Sequence, residues 1–288
     1  MTDEALDPTA QAAPRFPPDL DMSRPTVART YDALLGGKDN FEVDRQAAVE
    51  VEKLNPGTMQ LVQDNRAFLV RGVDHVTASG VRQFIDLGSG LPAADNTHQV
   101  AQRSAPGASV VYVDIDPIVL AHGRAILADS PNTTVTTADL RDVDRVLESP
   151  DTQRLIDFAQ PVCVMFVSLL HCIPDEDDPF GLVDRYFERL APGSAVIFSH
   201  LASDDQTAAQ QLTERIHSLG MEWGRVRFPE EIAHAFDSLE IVSPSTDGSA
   251  PPALVDCATW RNGSTVPEKR PADPDKKIWE HAAVGFKR

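Results

Sequence analysis

The sequence predicts an α/β fold with a mostly parallel sheet, and three observations lead to that prediction. Short apolar runs suited to buried strands recur along residues 83–287, separated by segments with helical periodicity. A glycine turn follows the first run, and an acidic residue follows each of the next two. Strands that alternate with helices at this spacing are typical of parallel sheets joined by right-handed crossovers.

The individual elements follow from the same periodicities. Strands are predicted near residues 83–87, 109–113, 133–137, 161–167, 194–199, 239–243 and 278–287. Helices are predicted between them near residues 93–103, 117–128, 152–158, 180–190, 204–219 and 229–236. The segment 243–277 is rich in Pro, Gly, Ser and Asp and is expected to be mostly loop, with one ordered stretch at 253–260.

The part of the chain before the first strand divides in two. Residues 1–23 are rich in Asp, Ala and Pro and are expected to form a disordered acidic tail. Residues 24–80 show helical periodicity around 26–35, 41–54 and 58–76, so they predict an N-terminal helical cap. Residues 81–288 then form the sheet-containing domain.

The glycine turn lies in the segment 83–94, which reads QFIDLGSGLPAA. Glycines let a backbone turn sharply and approach a ligand with no Cβ in the way. Pro92 is well placed in the first turn of a helix, so helix N–H groups are expected to face a ligand over the turn. Gly88, Gly90 and Ala93 match the pattern G-x-G-x-x-G/A, which indicates nucleotide binding.

Acidic residues at the ends of three strands complete the predicted site. Asp114 ends the second strand, where a carboxylate can accept both hydroxyls of a ribose, and Asp139 follows the third strand. Asp116 is assigned to the cap of the helix that begins at Pro117. Asp86 precedes the glycine turn and stays ionised, either holding backbone amides of the turn or orienting an amino group of the ligand.

Composition excludes several classes of protein. The chain of 288 residues has a net charge of -18, which argues against a nucleic-acid partner. It contains no apolar run long enough for a membrane span, so no membrane partner is expected. The three cysteines lack metal-ligand spacing, so we expect no metal site and a cytoplasmic location.

Longer strings in the chain resemble a known family. The strings are RPTVARTYDALLGGKDNF at 24–41, NRAFL at 65–69, RQFIDLGSGLP at 82–92, VYVDIDPIVLAH at 111–122, LHCIPD at 170–175 and APGS at 191–194. They resemble the class I S-adenosylmethionine-dependent methyltransferases, and within them the S-adenosyl methyltransferase family once catalogued as a domain of unknown function. The similarity runs from Arg24 to the C-terminus.

This resemblance implies a Rossmann-like fold with a seven-stranded, mostly parallel sheet whose last strand is antiparallel, and a helical cap over the cofactor. It implies S-adenosyl-L-methionine as cofactor. Since the net charge of -18 argues against nucleic acid, the expected methyl acceptor is a small molecule or a protein. The cofactor-binding residues that it implies lie at the strand ends and in the cap. They are Asp86, Gly88, Ser89, Gly90, Asp114, Ile115, Asp139, Leu140, Ser168, Tyr31 and Asn40.

Catalysis itself leaves alternatives open. His171 follows the fourth strand and is the candidate general base, although an isolated histidine at a strand end also serves structural roles. A non-catalytic S-adenosylmethionine sensor is one alternative, because no base is obvious. A nicotinamide-dependent oxidoreductase is the other, because Gly88, Gly90, Ala93 and Asp114 also fit that class. The acceptor, the methylated atom and the oligomeric state do not follow from the sequence.

Overall fold

A computed structural model describes residues 21–127 and 130–288 of the protein. Apart from residues 21–23, the predicted acidic tail lies outside this range. The helices are α1 (Val27–Leu34), α2 (Glu42–Leu54), α3 (Thr58–Ala78), α4 (Thr97–Ser104), α5 (Pro117–Leu127), α6 (Val143–Leu147), α7 (Pro150–Leu155), α8 (Pro179–Glu188), α9 (Gln206–Ser218) and α10 (Pro229–Ile232). The strands are β1 (Gln83–Leu87), β2 (Ser109–Asp114), β3 (Thr133–Thr137), β4 (Cys163–Val167), β5 (Ala195–Ala202), β6 (Glu240–Ile241), β7 (Val255–Asp256) and β8 (Trp279–Phe286).

The strands form a single sheet in the order β3-β2-β1-β4-β5-β8-β6, with the short β7 paired to β8. Strands β1 to β5 pair in parallel, whereas β8 runs antiparallel to β5 and places Glu280 opposite Leu201. The predicted α/β class and the antiparallel last strand are confirmed. The sheet has eight strands instead of the expected seven. The additional strand is the two-residue β7, which lies in the ordered stretch predicted at 253–260 and pairs with β8.

Helices cover both faces of the sheet because side chains along each strand alternate between two apolar layers. Phe84 of β1 packs with Phe68 and Val73 of α3 on one face, and the Phe68 ring lies edge-on to the buried Trp260 at 5.3 Å. Ile85, the next residue of β1, belongs to the layer on the other face, under α6 to α8. Helix α3, the last helix of the predicted cap, therefore packs directly on the sheet.

In the predicted cap, residues 24–80, a buried ion pair joins α1 to α2. Arg29 of α1 and Asp44 of α2 are 1% and 0% exposed and lie 3.0 Å apart. The Asp44 carboxylate also accepts the backbone N–H groups of Thr26 and Phe41, so it joins the segment before α1 to the start of α2. An apolar cluster then seats α1, α2 and the first turns of α3 on α9 and on Ile278.

Two local predictions differ from the structure. The helix predicted from Pro92 begins only at Thr97, because the Gln99 side chain accepts the Asn96 N–H at 2.9 Å and Asp95 adopts a left-handed φ of 57°. The expectation that helix N–H groups open directly onto the glycine turn is therefore wrong. Helix α6 was not predicted; it is short and is capped by Asp142, whose side chain accepts the Arg145 N–H.

Candidate active site

The candidate site lies at the carboxyl ends of β1, β2 and β4, where the order of strands reverses about β1. Open α/β sheets bind ligands at such a switch point. Gly88 and Gly90 both adopt left-handed φ angles, of 57° and 65°. A Cβ on Gly88 would lie 2.3 Å from the Leu169 side chain, whereas a Cβ on Gly90 would meet nothing within 4 Å. Gly88 is thus required by packing, and Gly90 leaves open space beside its backbone.

Asp114 contacts the glycine turn from the end of β2. Its Oδ2 accepts the Gly90 N–H at 2.9 Å, and its Oδ1 accepts the Asp116 N–H at 2.9 Å. Burial raises the pKa of Asp114, and the hydrogen bonds from the two amides oppose that rise. The neighbouring Ile115 is 57% exposed at the same edge, an unusual position for a large apolar side chain.

Asp116 is engaged on the side of the helix. Its carboxylate accepts the Ile118 N–H at 2.9 Å, as expected for a cap, and the Thr26 hydroxyl of the N-terminal cap at 3.3 Å. The carboxylate that accepts the N–H of Gly90 is therefore that of Asp114, two residues before Asp116.

Asp86 lies beneath the turn rather than holding it. It is 6% exposed, and its Oδ2 accepts the Thr97 hydroxyl at 2.6 Å. Burial raises the pKa of Asp86 to about 6, against the opposing effects of Thr97 and of the Arg66 guanidinium. Arg66 reaches the same loop from α3 and donates to the Asp95 carbonyl at 3.1 Å. The prediction that Asp86 is ionised at neutral pH agrees with this pKa.

Asp139 and Leu140 follow β3 at the outer end of the site. Asp139 is 38% exposed and forms an ion pair with Arg141 at 2.6 Å, which lowers the pKa of the carboxyl group. Arg141 also pairs with Asp177 at 2.6 Å. The Leu140 carbonyl accepts the Tyr186 hydroxyl at 2.8 Å, so this segment is anchored to α8.

A chain of hydrogen bonds joins the cap to the sheet across the inner end of the site. Asn65 donates to the Tyr31 hydroxyl at 3.1 Å and accepts the Ser199 hydroxyl at 2.7 Å. The Ser168 N–H donates to Ser199 Oγ at 2.9 Å, and the Ser168 hydroxyl donates to Glu280 Oε1 at 2.5 Å. Ser168 adopts a left-handed φ of 54°, a strained backbone that this network holds in place.

Glu280 is the acidic residue that the sequence reasoning missed. It is 1% exposed on β8, and burial raises its pKa to about 7, with Ser168 and Ser199 opposing the rise. Its second oxygen, Oε2, is buried without a hydrogen-bond partner. A carboxylate within a predicted strand of mainly apolar residues was the signal that could have identified it.

His171 is buried beside this group. Its Nδ1 accepts the Leu201 N–H at 3.1 Å, and its ring lies 4.6 Å from the Trp223 ring. Burial, aided by the charge of Arg227, lowers the pKa of His171 to about 3. The imidazole is therefore neutral at physiological pH, and its Nε2 carries the proton because Nδ1 is the acceptor.

The two predicted cap residues lie in different surroundings. Tyr31 borders a cavity under the cap, and its hydroxyl donates to the Val62 carbonyl at 3.3 Å. Asn40 donates to the Asp32 carboxylate at 2.8 Å within the loop after α1. Asp32 fills the space where a Cβ on Gly37 would stand, which explains the glycine at that position. The structure thus brings Tyr31 together with Ser168 and His171, while Asn40 shapes its own loop.

Three acidic side chains, those of Asp86, Asp114 and Glu280, are buried at this edge of the sheet. Asp114 accepts the N–H of Gly90, where the absence of a Cβ leaves open space. Across residues 21–127 and 130–288, no cluster of three or more His, Cys, Asp or Glu side chains is arranged to hold a metal ion. Within the same ranges, no helix is both long and apolar enough to cross a membrane.

Comparison with known proteins gives a consistent result. The sequence profile of the family described as S-adenosyl methyltransferase matches residues 14–288. The crystal structure of a candidate methyltransferase from Thermobifida fusca YX is 43% identical, with a TM-score of 0.81, and the match covers 94% of this chain and 98% of that one. A DUF574 family protein from Streptomyces avermitilis MA-4680 is 29% identical, with a TM-score of 0.82, and the match covers 93% and 99% of the two chains. No curated protein matches the sequence.

These matches decide between the cofactors that the glycine turn left open. The profile covers the cap, the glycine turn and the last strand, which are the regions whose strings suggested the resemblance. The cofactor is therefore S-adenosyl-L-methionine and not a nicotinamide nucleotide, and the protein is a methyltransferase. The chain belongs to the S-adenosyl methyltransferase family.

Proposed function

We propose that this methyltransferase binds S-adenosylmethionine across the carboxyl ends of β1, β2 and β4 and methylates a small molecule held under the cap. One observation carries the placement: Gly90 leaves its backbone open to a ligand while its N–H is held by the Asp114 carboxylate. A ligand bound against the Gly90 backbone would lie near the Asp114 carboxylate, which accepts the N–H of that same residue. We further propose that residues 24–80 act as the cap and that the enzyme is cytoplasmic, in keeping with its three free cysteines.

Asp114 has the capacity to bind ribose. Each carboxylate oxygen offers about two lone-pair sites, and one on each oxygen is used by a backbone amide. The remaining sites can accept the two hydroxyls of a ribose. The exposed side chain of Ile115 offers an apolar surface for the adenine ring beside them.

The other predicted residues take positions around this anchor. We assign the methionine end to Asp86, Gly88, Ser168 and the network from Tyr31, and the adenine edge to Asp139 and Leu140. Ser89 contributes its backbone to the wall of the site. Its N–H is not free for a ligand, since it already donates to the Val113 carbonyl at 3.2 Å. Asn40 shapes the loop of the cap, and the partners of His171 fit it to a supporting role in the wall.

The bound cofactor supplies a methyl group that its positively charged sulfur has already activated. The chain contributes position and the exclusion of water, which together can account for much of the rate of a displacement between two held reactants. The apolar cluster between the cap and α9 keeps the inner end of the site dry.

Calorimetric titration with S-adenosylhomocysteine tests the placement. Asp114→Asn replaces two charge-assisted hydrogen bonds by neutral ones, so affinity should fall by about two powers of ten. Asp116→Asn is the matched control, because its carboxylate faces Ile118 and Thr26, and its affinity should stay near that of the wild type. Equal losses in the two variants would refute the role of Asp114, and absence of binding by the wild type would refute the proposed function.

A further inference from the structure

A cavity of about 80 Å³ lies between the cap, α9 and the carboxyl ends of β4 and β5. Much of its wall is aliphatic and comes from α1, α3, α9 and the residue before β8: Leu34, Leu61, Val62, Leu212, Ile216 and Ile278. Among the described residues that line it there is no lysine or arginine. An anionic ligand would therefore meet no opposite charge inside this cavity.

Two polar groups in the wall have no partner. Glu280 Oε2 and Trp223 Nε1 are both buried, neither makes a hydrogen bond, and both residues line the cavity. Leaving a buried donor or acceptor unpaired costs about 1 to 3 kcal/mol per group. One unpaired acceptor and one unpaired donor, on two residues that line the same apolar space, are complementary to a ligand that carries both functions.

The cavity adjoins the proposed cofactor site. Ser168 lines the cavity and donates to Glu280 Oε1, and the next residue, Leu169, packs against the glycine turn at Gly88. Glu280 stands opposite Leu201 at the carboxyl end of β5, the same edge at which the glycine turn lies. The segment formed by Ser168 and Leu169 therefore contributes both to the wall of the cavity and to the packing around the glycine turn.

We propose that this cavity is the acceptor pocket, that the acceptor is an uncharged, mainly apolar alcohol or phenol, and that Glu280 Oε2 takes the proton of its hydroxyl. This inference rests on the proposed function. A hydroxyl donates one hydrogen bond and accepts others, so it can satisfy both Glu280 Oε2 and Trp223 Nε1. A hydrocarbon body of the acceptor would then contact the aliphatic wall.

The hydroxyl proton passes to Glu280 Oε2 as the oxygen forms its bond to the methyl carbon, and the carbon–sulfur bond breaks with its electron pair left on sulfur. The products are a methyl ether, a neutral thioether and protonated Glu280, which later releases its proton to solvent. A carboxyl group with a pKa of about 7 is suited to this exchange at neutral pH. His171 is not, because its Nε2 already carries a proton.

Binding of simple probes tests the assignment without depending on turnover. Phenol, anisole and benzoate are titrated in the presence of S-adenosylhomocysteine, and their affinities are measured by ligand-observed NMR. Phenol alone carries a donor for Oε2, so it should bind at least about tenfold more tightly than anisole, the effect of one charge-assisted hydrogen bond. Benzoate should bind more weakly than either, because the cavity offers it no cation.

Substitutions test which residue produces the preference for phenol over anisole. Glu280→Leu should reduce the phenol-to-anisole ratio to within about twofold, whereas Glu240→Leu, at an exposed glutamate of β6 in the same sheet, should leave it unchanged. Trp223→Phe should weaken phenol and anisole alike, since both carry an oxygen that accepts from Nε1, and so keep their ratio. If Glu280→Leu does not fold, this second variant still tests the pocket.

The failures of the two proposals are distinguishable. If the wild type does not bind S-adenosylhomocysteine, the proposed function is wrong. If S-adenosylhomocysteine binds while phenol shows no preference over anisole, or while the preference survives Glu280→Leu, the acceptor pocket is wrong and the cofactor site stands. Failure of all three probes to bind the complex at millimolar concentration would likewise overturn the pocket.

Discussion

Glu280 should make the stability of the enzyme depend on pH in a way that one substitution removes. Burial raises its pKa to about 7 from an ordinary value of 4.5. A carboxyl group whose pKa is raised in the folded state contributes stability below its unfolded pKa and loses it as the pH rises through the folded pKa. The free energy of unfolding of the wild type should therefore fall between about pH 4.5 and pH 7 because of this residue.

The size of the effect follows from the shift. Each pKa unit corresponds to about 1.4 kcal/mol, so Glu280 accounts for a loss on the order of 3 kcal/mol across that range. The side chain is 1% exposed, so solvent screening does little to reduce the effect. Glu280→Gln stays uncharged at every pH and should gain this amount relative to the wild type as the pH rises.

Urea unfolding of the two proteins at a series of pH values from about 5 to 8 measures the difference. Other titratable groups near Glu280 are common to both proteins and largely cancel: Tyr31 of α1, His171 and Cys172 after β4, and Asp256 and Cys257 at β7. Glu240→Gln, exposed on β6, should show a difference from the wild type that is flat with pH. A flat difference for Glu280→Gln as well would show that the buried carboxyl group titrates normally and would refute the reasoning.

Two further predictions concern the glycine turn and the cap. Gly90→Ala should lower the free energy of unfolding by about 1 to 2 kcal/mol because of its left-handed φ, and it should weaken S-adenosylhomocysteine binding at least tenfold. Gly248→Ala, at a glycine with a φ of 74° and equal free space, should cost the same stability without changing affinity. Equal affinities of the two variants in calorimetry would contradict the role of Gly90 in binding. Asp44→Ala leaves the buried Arg29 cation without its partner and should lower the free energy of unfolding by about 3 to 5 kcal/mol. The control Asp142→Ala, at an exposed helix cap, should lower it by only about 1 kcal/mol. Similar losses for the two variants in urea titrations would show that the ion pair does not hold the cap.

The sheet was predictable because its signals are local. The runs that became β1, β2 and β3 end in residues that cannot continue a buried strand, a glycine or an acid, so their limits could be read from the chain. The start of α4 was not predictable from Pro92 alone. Asp95 and the capping partners Asn96 and Gln99 decide where that helix begins, and their effect depends on a turn whose geometry the sequence does not specify.

The position of Asp114 beside the glycine turn could also be predicted, whereas the residues that surround the cavity could not. The glycine turn and Asp114 lie on adjacent strands, and the rule that ligands bind at strand ends brings them together. Tyr31, Trp223 and Glu280 come from distant segments that no periodicity connects. Only the packing of the cap on α9 and the position of β8 beside β5 bring these three residues around one cavity.

The partners of Asp114 and Glu280 explain why two buried acids at one sheet edge are suited to different roles. Burial raises the pKa of both. Asp114 has a backbone amide on each oxygen, so its charge is stabilised and its geometry is fixed, which suits a group that binds hydroxyls without exchanging protons. Glu280 accepts the Ser168 hydroxyl on Oε1, while its Oε2 makes no hydrogen bond and is therefore available to accept a hydroxyl group and to take its proton. Pairs of acids whose environments differ in this way separate binding from proton transfer within one site.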